Sequence, residues 1–165
     1  MRNYFKSSVF VIILLALGGC PNGNRFSDIP FLEFRDYRLY QEERAPGIFA
    51  DMIEVQVYFT DGDGDVGLDE TDDQPPFCDT CEFGQNFLVD IYSFNGGPID
   101  TFTNNFRIKN LTPSGQNKTL EGIIKNQIDI TSRQSDTIQL RFQLLDRALN
   151  ASAPVTSPKI HVSLP

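Results

Sequence analysis

The chain has 165 residues, with 14 basic side chains against 22 acidic ones and a formal net charge of −8 at pH 7. This length is enough for one domain with a sizeable core, and the acidity disfavours nucleic acid and anionic lipid headgroups as partners. The acid is concentrated, since the stretch from Ala45 to Phe106 holds 13 acids without one Lys or Arg. We therefore expect no nucleic-acid partner and a local reason for the charge.

The first twenty residues predict export. Arg2 and Lys6 precede an apolar run over residues 9–17, which is too short to span a bilayer as a helix. This is the layout of a secretory signal peptide, and its ending "LGGC" resembles a bacterial lipobox, in which cleavage precedes a cysteine that becomes lipid-linked. The sequence predicts a signal peptide over 1–19 and lipidation at Cys20, with an ordinary signal peptide and a free cysteine as the alternative.

The expected mature chain consists of a tether and one domain. Residues 20–28 are polar and without periodicity, as suits a spacer between lipid and domain, and the domain is expected over 29–165. No other segment is apolar enough to cross a membrane, so anchoring rather than spanning is expected. The tether is neutral to basic just after the cysteine. In the lipoproteins that the leader resembles, surface export commonly goes with acidic residues at these positions, so the resemblance implies a protein that faces the periplasm.

From the tether onward the hydrophobic pattern has period two, which is typical of half-buried strands. The strongest strands are expected at 52–59, 86–94, 136–144 and 158–164, and "NGG" (95–97) is typical of a hairpin turn after the second. Weaker strands are expected around 29–34, 37–40, 102–108 and 120–130.

These short strands, separated by Gly, Pro, Asn and Asp, predict an all-β fold. Its architecture is expected to be an antiparallel immunoglobulin-like β-sandwich of about seven strands, with a barrel as the alternative. The four strongest strands would be strands B, C, F and G of that sandwich.

The acidic stretch "DGDGDVGLDETDD" (61–73) follows directly on the first strong strand. Asp61, Asp63 and Asp65 alternate with glycines, whose permissive backbone lets the carboxylates converge. Such hard oxygen ligands suit Ca²⁺. The stretch matches an EF-hand loop at its first three acidic positions, but Val66 stands where that loop has Gly, and no helices flank it. We expect a calcium site in a β context, with a solvated acidic turn as the alternative.

Three aspartates cannot easily fill the six to eight oxygen positions of calcium. In an immunoglobulin-like sandwich the loop after strand B and the turn between strands F and G lie at the same end. Asp146 and Asn150, in the turn "DRALN", are therefore expected to complete the site, with Asp69, Asp72 and backbone carbonyls as competing ligands.

Cys78 and Cys81 form a C-x-x-C pair, which an exported protein can keep as a disulfide. Redox catalysis is the alternative, but the surrounding carboxylates would raise the thiol pKa instead of lowering it. A zinc half-site is a further alternative.

His161, the only histidine, lies on the polar phase of the last strand and is expected to be exposed. The tripeptide "DTI" (136–138) is similar to the sequence glycosylated on exported Bacteroidota proteins, with ordinary strand residues as the alternative.

Together, "FTDGDGDVGL", the "DRALN" turn and the lipobox resemble small Bacteroidota outer-membrane lipoproteins over most of the mature chain. The resemblance implies an immunoglobulin-like fold and an outer-membrane address, without a defined activity. We expect a non-enzymatic, calcium-stabilised protein that binds an envelope partner or is an accessory subunit of a membrane complex. The alternatives are a carbohydrate-binding module, with Tyr92 and Phe94 as the available aromatic rings, and a C-x-x-C oxidoreductase.

Overall fold

A computed structural model describes residues 25–95, 97–112 and 119–164. The predicted signal peptide and the lipidation at Cys20 lie outside these residues, as does most of the predicted tether. Among the described residues there is no helix with the length and apolarity that a membrane crossing requires.

The chain forms eight strands, all paired antiparallel. They are β1 (Phe31–Ala45), β2 (Ile48–Asp61), β3 (Phe87–Phe94), β4 (Pro98–Thr103), β5 (Leu120–Asp129), β6 (Thr137–Leu144), β7 (Val155–Thr156) and β8 (Ile160–His161).

The strands divide into two sheets, which confirms the predicted sandwich over the barrel. One sheet has the order β1-β2-β5, and the other has the order β4-β3-β6-β7, with β8 also paired to β6. With β2 as strand B, β3 as C and β6 as F, the short pieces β7 and β8 together occupy the place of strand G. This arrangement matches the immunoglobulin-like assignment.

The alternation of apolar and polar side chains along the strands produces the hydrophobic core. Burial alternates residue by residue along β3 and β6, and their inward side chains are apolar except for Ser93. The fully buried ones include Ile53, Val55, Val57, Phe87, Val89, Ile91, Ile138, Leu140, Phe142 and Leu144. The Phe142 ring stacks between those of Phe34 and Phe87, with ring centroids 5.9 Å and 5.8 Å away. Each such side chain contributes about 1.5–3 kcal/mol by leaving water.

Several predicted strand boundaries are wrong. The two weak strands at 29–34 and 37–40 are one strand, β1, whose pairing with β2 continues through a bulge between Phe34 and Asp36. The strand expected at 102–108 is instead β4, which ends at Thr103. The strand expected at 158–164 is reduced to β8, and β7 was not predicted. Prolines interrupt this last region, since Pro158 lies between β7 and β8 and has no N–H to donate.

A polar cluster closes the end of the sandwich where β2 begins. Arg133 Nη1 lies 2.5 Å from Asp51 Oδ2, and Gln41 Nε2 donates to Asp51 Oδ1 at 2.9 Å. The hydrogen bond from Gln41 and then that from Arg133 lower the pKa of Asp51. The acidic loop after β2 lies at the opposite end, so the two clusters are separated by the length of the strand.

Candidate metal centre

The acidic loop begins where β2 ends, at Asp61, and glycines turn it back across the end of the sandwich. Gly64 and Gly67 have φ values of 68° and 96°, a backbone conformation that strains any side chain. A Cβ on Gly67 would also overlap the carbonyl oxygen of Lys109. Leu68 N–H donates to the Ile108 carbonyl at 2.9 Å, so the loop returns along the segment after β4.

Three carboxylates of this loop converge. One oxygen from each of Asp61, Asp63 and Asp65 lies within 4.8 Å of the others. Two oxygens bound to the same calcium-sized ion at 2.3–2.6 Å are at most about 5 Å apart. The three carboxylates therefore have a spacing that could hold one metal ion.

Each of the three carboxylates leaves one buried oxygen without a hydrogen-bond donor. The Oδ1 atoms of Asp61, Asp63 and Asp65 are buried and have no partner. The opposite oxygens of two of them are bonded, since Asp61 Oδ2 accepts the Asp65 N–H at 2.9 Å and Asp65 Oδ2 accepts the Ala148 N–H at 3.0 Å. Buried oxygens without partners are unfavourable unless a cation or another donor satisfies them.

The protonation of the site reflects this environment. Burial raises the pKa of Asp61 to about 7, with the charges of Asp63, Asp65 and Asp146 adding to the effect and the Asp65 N–H opposing it. Burial also raises the pKa of Asp65 to about 6, with the Asp146 charge as the next contribution. These groups repel one another as anions and would be strong ligands for a cation.

The turn after β6 meets this loop, as expected from the predicted fold. Val66 and Asp146 form an isolated antiparallel bridge, and the Arg147 N–H donates to the Asp65 carbonyl at 3.2 Å. Asp146 is 2% exposed, and burial raises its pKa. About eighty residues of sequence separate these two segments, which the sandwich brings into direct contact.

Asn150 donates two hydrogen bonds to the carboxylate of Asp146. Its backbone N–H donates to Asp146 Oδ1 at 2.7 Å, and its Nδ2 donates to Oδ2 at 2.8 Å. The Asn150 amide therefore fixes the orientation of the Asp146 carboxylate, and its role as an oxygen ligand stays a prediction. Leu149, just before it, has a φ of 66°, which is unusual for a residue with a branched side chain.

Asp69 and Asp72, the two competing ligands, make other contacts. Asp69 Oδ2 accepts a hydrogen bond from Asn110 Nδ2 at 2.8 Å and lies 3.5 Å from Arg147 Nη1. Asp72 Oδ2 accepts the Asp69 N–H at 2.7 Å. These two carboxylates stabilise the second half of the loop, and neither belongs to the group of three.

Arg107 organises the rest of the loop, and the sequence-based reasoning missed it. Its guanidinium donates to four backbone carbonyls at 2.8–3.0 Å, those of Asp69, Asp72, Phe77 and Gly84. A signal for this role was present, because Arg107 is the first basic residue after the long acidic stretch. Its planar fork of five donors suits a cage of carbonyl oxygens.

Cys78 and Cys81 are joined as a disulfide within this loop, as predicted. The Cys81 N–H also donates to the Cys78 carbonyl at 2.7 Å, which closes a tight turn. Asp79 and Glu82 beside them are exposed, so the disulfide lies in an acidic, solvated environment.

The remaining candidate residues lie away from the carboxylates. His161 is exposed on β8, opposite Thr137, at the other end of the sandwich. Asp136 is exposed, and Thr137 is half-buried in β6. The Lys159 Nζ lies 4.3 Å from the centroid of the Phe94 ring, so a cation covers one face of this ring.

Comparisons with known proteins add nothing to these observations. No protein-family model, no curated protein and no solved structure matches this chain.

Proposed function

We propose that this protein is a lipid-anchored, calcium-stabilised β-sandwich of the bacterial outer membrane that binds a protein partner and catalyses no reaction. Residues 61–65 and the turn at Asp146 would hold Ca²⁺ at one end of the sandwich. Cys20 would carry the lipid.

The three buried Oδ1 atoms of Asp61, Asp63 and Asp65 support the calcium site more than any other observation. A solvated acidic turn would expose its carboxylate oxygens to water. Here the loop buries one oxygen from each aspartate without a donor, and the three carboxylates converge to within bonding range of one ion. A divalent cation would remove both the desolvation penalty and the mutual repulsion.

The chemistry of the donors favours calcium over zinc and magnesium. The group consists of carboxylates alone, whereas zinc is usually held by Cys and His. Magnesium demands near-ideal octahedral geometry, while calcium accepts irregular shells with backbone carbonyls. An exported protein also meets calcium at higher concentrations than a cytosolic protein does.

Asp146 lies outside the group of three carboxylates, but it is the proposed fourth ligand because its turn bonds the loop directly at Val66 and Asp65. Its charge also raises the pKa of Asp61 and of Asp65. An ion held by both segments would join the loop after β2 to the turn after β6, and so one sheet to the other. With a dissociation constant of about 10 μM and about 1 mM calcium, binding would stabilise the fold by about 2.7 kcal/mol.

Thermal unfolding in calcium and in chelator tests the site. We expect the melting temperature to be several degrees higher in calcium. Asp63→Ala should abolish this shift, and Asp146→Ala should weaken it. Asp73→Ala is the matched control, because Asp73 is exposed in the same loop and outside the group of three. A melting temperature that does not respond to calcium would reject the site, and a full response in Asp146→Ala would remove only the distant ligand.

Membrane fractionation tests the anchor. Wild-type protein should incorporate labelled palmitate, and Cys20→Ala should release it from the membrane fraction. Protease added to intact cells should leave a periplasm-facing protein uncut. Failure to incorporate palmitate would reject lipidation, whereas cleavage on intact cells would reject only the orientation.

The position of His161, at the far end of the sandwich from the clustered carboxylates, disfavours a catalytic pair between them. Crosslinking in intact envelopes followed by affinity purification should recover a specific envelope protein. Capture on a glycan array would favour the carbohydrate-binding alternative, and reduction of insulin would favour the oxidoreductase.

A further inference from the structure

The free edge of β5 is a feature that the proposed function does not use. In immunoglobulin constant-type domains strand E is covered by strand D. Here β5 takes the place of strand E at the margin of the β1-β2-β5 sheet, and no strand of the described residues occupies the place of D. β5 pairs over its full ten residues with β2, without a bulge.

Every second backbone unit of β5 points to this free edge. The Ile130 N–H donates to the Asp51 carbonyl, and this pair continues the β2–β5 register by one residue. Because hydrogen-bonded pairs recur at every second residue, the even-numbered residues of β5 are the ones bonded to β2. Gln127 N–H is instead bonded by the side chain of its own neighbour, Asn126. The N–H and C=O groups of residues 121, 123 and 125 therefore face outward and can pair with a further strand.

The other edges are short or irregular, which discourages pairing, whereas β5 is neither and has only the charged side chains of Glu121, Lys125 and Asp129 as protection. β1 has bulges, β4 has six residues and an irregular register, and β7 and β8 have two residues each. Short or bulged strands are the usual means by which proteins protect sheet edges. β5 is regular and contains no proline, and the Ile123 side chain is 51% exposed on its outer face.

We propose that β5 pairs antiparallel with β5 of a second copy of this chain, about a two-fold axis at Ile123. In this register Glu121 lies opposite Lys125 of the second copy, Ile123 lies opposite Ile123, and Lys125 lies opposite Glu121. Both charge pairs are attractive, the two exposed isoleucines cover each other, and the sheets join into one of six strands.

The charges select this register over its neighbours. Because the outward backbone groups belong to odd-numbered residues, the allowed registers differ by steps of two residues in one copy. A two-fold axis at Lys125 would place Lys125 against Lys125 and Glu121 against Asp129. A two-fold axis midway between Ile123 and Lys125 would place both Glu121 and Lys125 opposite uncharged residues. Glu121 keeps its hydrogen bond from Tyr58 and its 3.3 Å ion pair with Arg25, since a carboxylate accepts several donors.

Cysteine crosslinking of the full chain in its native membranes tests the pairing. Ile123→Cys should give a disulfide-linked dimer on a non-reducing gel after mild oxidation, because directly opposed residues have Cα atoms about 5.5 Å apart. Gln127→Cys is the matched control on the same face of β5. Its two copies would be about 27 Å apart, since they are offset by eight residues. Equal crosslinking of both variants, or of neither, would overturn the proposal.

Charge reversal in the Ile123→Cys background tests the register. Lys125→Glu should lower the association constant of the dimer about tenfold, because two attractive charge pairs become repulsive. Glu121→Lys should do the same, and the double reversal should restore dimerisation. Both side chains are exposed, so folding should not be affected. Unchanged crosslinking in the single variants, or no recovery in the double variant, would overturn the register.

Discussion

Replacing Asp61 with Asn should raise the free energy of unfolding in chelator and should raise it by much less in calcium. In the metal-free protein Asp61 is a buried carboxylate next to two other carboxylates, so its charge opposes folding. Asn has the same shape, and its carbonyl oxygen can still accept the Asp65 N–H that Asp61 Oδ2 accepts at 2.9 Å. Its amide can donate to the neighbouring carboxylates. The substitution therefore removes the repulsion without opening a cavity.

The raised pKa gives the sign and the size of this effect. The pKa of Asp61 rises from 3.8 to about 7 in the folded protein, mainly through burial. A group whose folded pKa is raised contributes stability that is full below about pH 4 and lost as pH rises to about 7. At 1.36 kcal/mol per unit, metal-free wild type loses up to about 4 kcal/mol across this range. The Asn variant does not lose this contribution.

Unfolding by urea between pH 4 and pH 8, in chelator and in calcium, measures this directly. In chelator at pH 8 the variant should be the more stable protein by up to about 4 kcal/mol, or about 10 °C in melting temperature, and the difference should vanish near pH 4. In calcium the wild type should gain about 2.7 kcal/mol. The variant should gain less, because a neutral amide oxygen is a weaker calcium ligand than a carboxylate. Equal stabilities in chelator at pH 8 would refute the electrostatic argument, and an undiminished calcium response in the variant would remove Asp61 from the ligands.

Three further predictions concern the loop and its supports. Arg107→Ala should destabilise the protein by about 3 kcal/mol in chemical unfolding, because four carbonyls lose their donor, whereas Lys109→Ala at an exposed neighbouring position should have little effect. Gly67→Ala should destabilise more than Gly47→Ala in the same assay, because both have positive φ but only Gly67 is blocked by a backbone carbonyl. Reducing the disulfide should lower the free energy of unfolding by less than about 3 kcal/mol, since it closes a short loop, and mass spectrometry with alkylation before reduction should find it intact in exported protein.

The fold class and the strongest strands follow from the sequence alone. Alternation of apolar and polar side chains is a local property, and it predicted β3 and β6 to within one residue because both strands bury one face. The same pattern did not predict that β1 is continuous. A bulge shifts the alternation there, and only pairing with β2 holds the two halves in one strand.

The three aspartates of the candidate site were also apparent from sequence, because their spacing and the intervening glycines are local features. Their burial was not, since it depends on the turn after β6 covering the loop after β2. The contact with Asp146 followed from the predicted topology, whereas the contacts of Asp69 and Asp72 with other partners did not.

Two features were decided by the tertiary structure only. Arg107 bonds carbonyls up to thirty-eight residues away, and no sequence pattern specifies which carbonyls a guanidinium will meet. The open edge of β5 depends on which strands lie beside it, because hydrophobic alternation determines which face of a strand is buried and carries no information about its neighbours. Local periodicity therefore determined the strands and the three aspartates, and the arrangement of the two sheets determined what those residues contact.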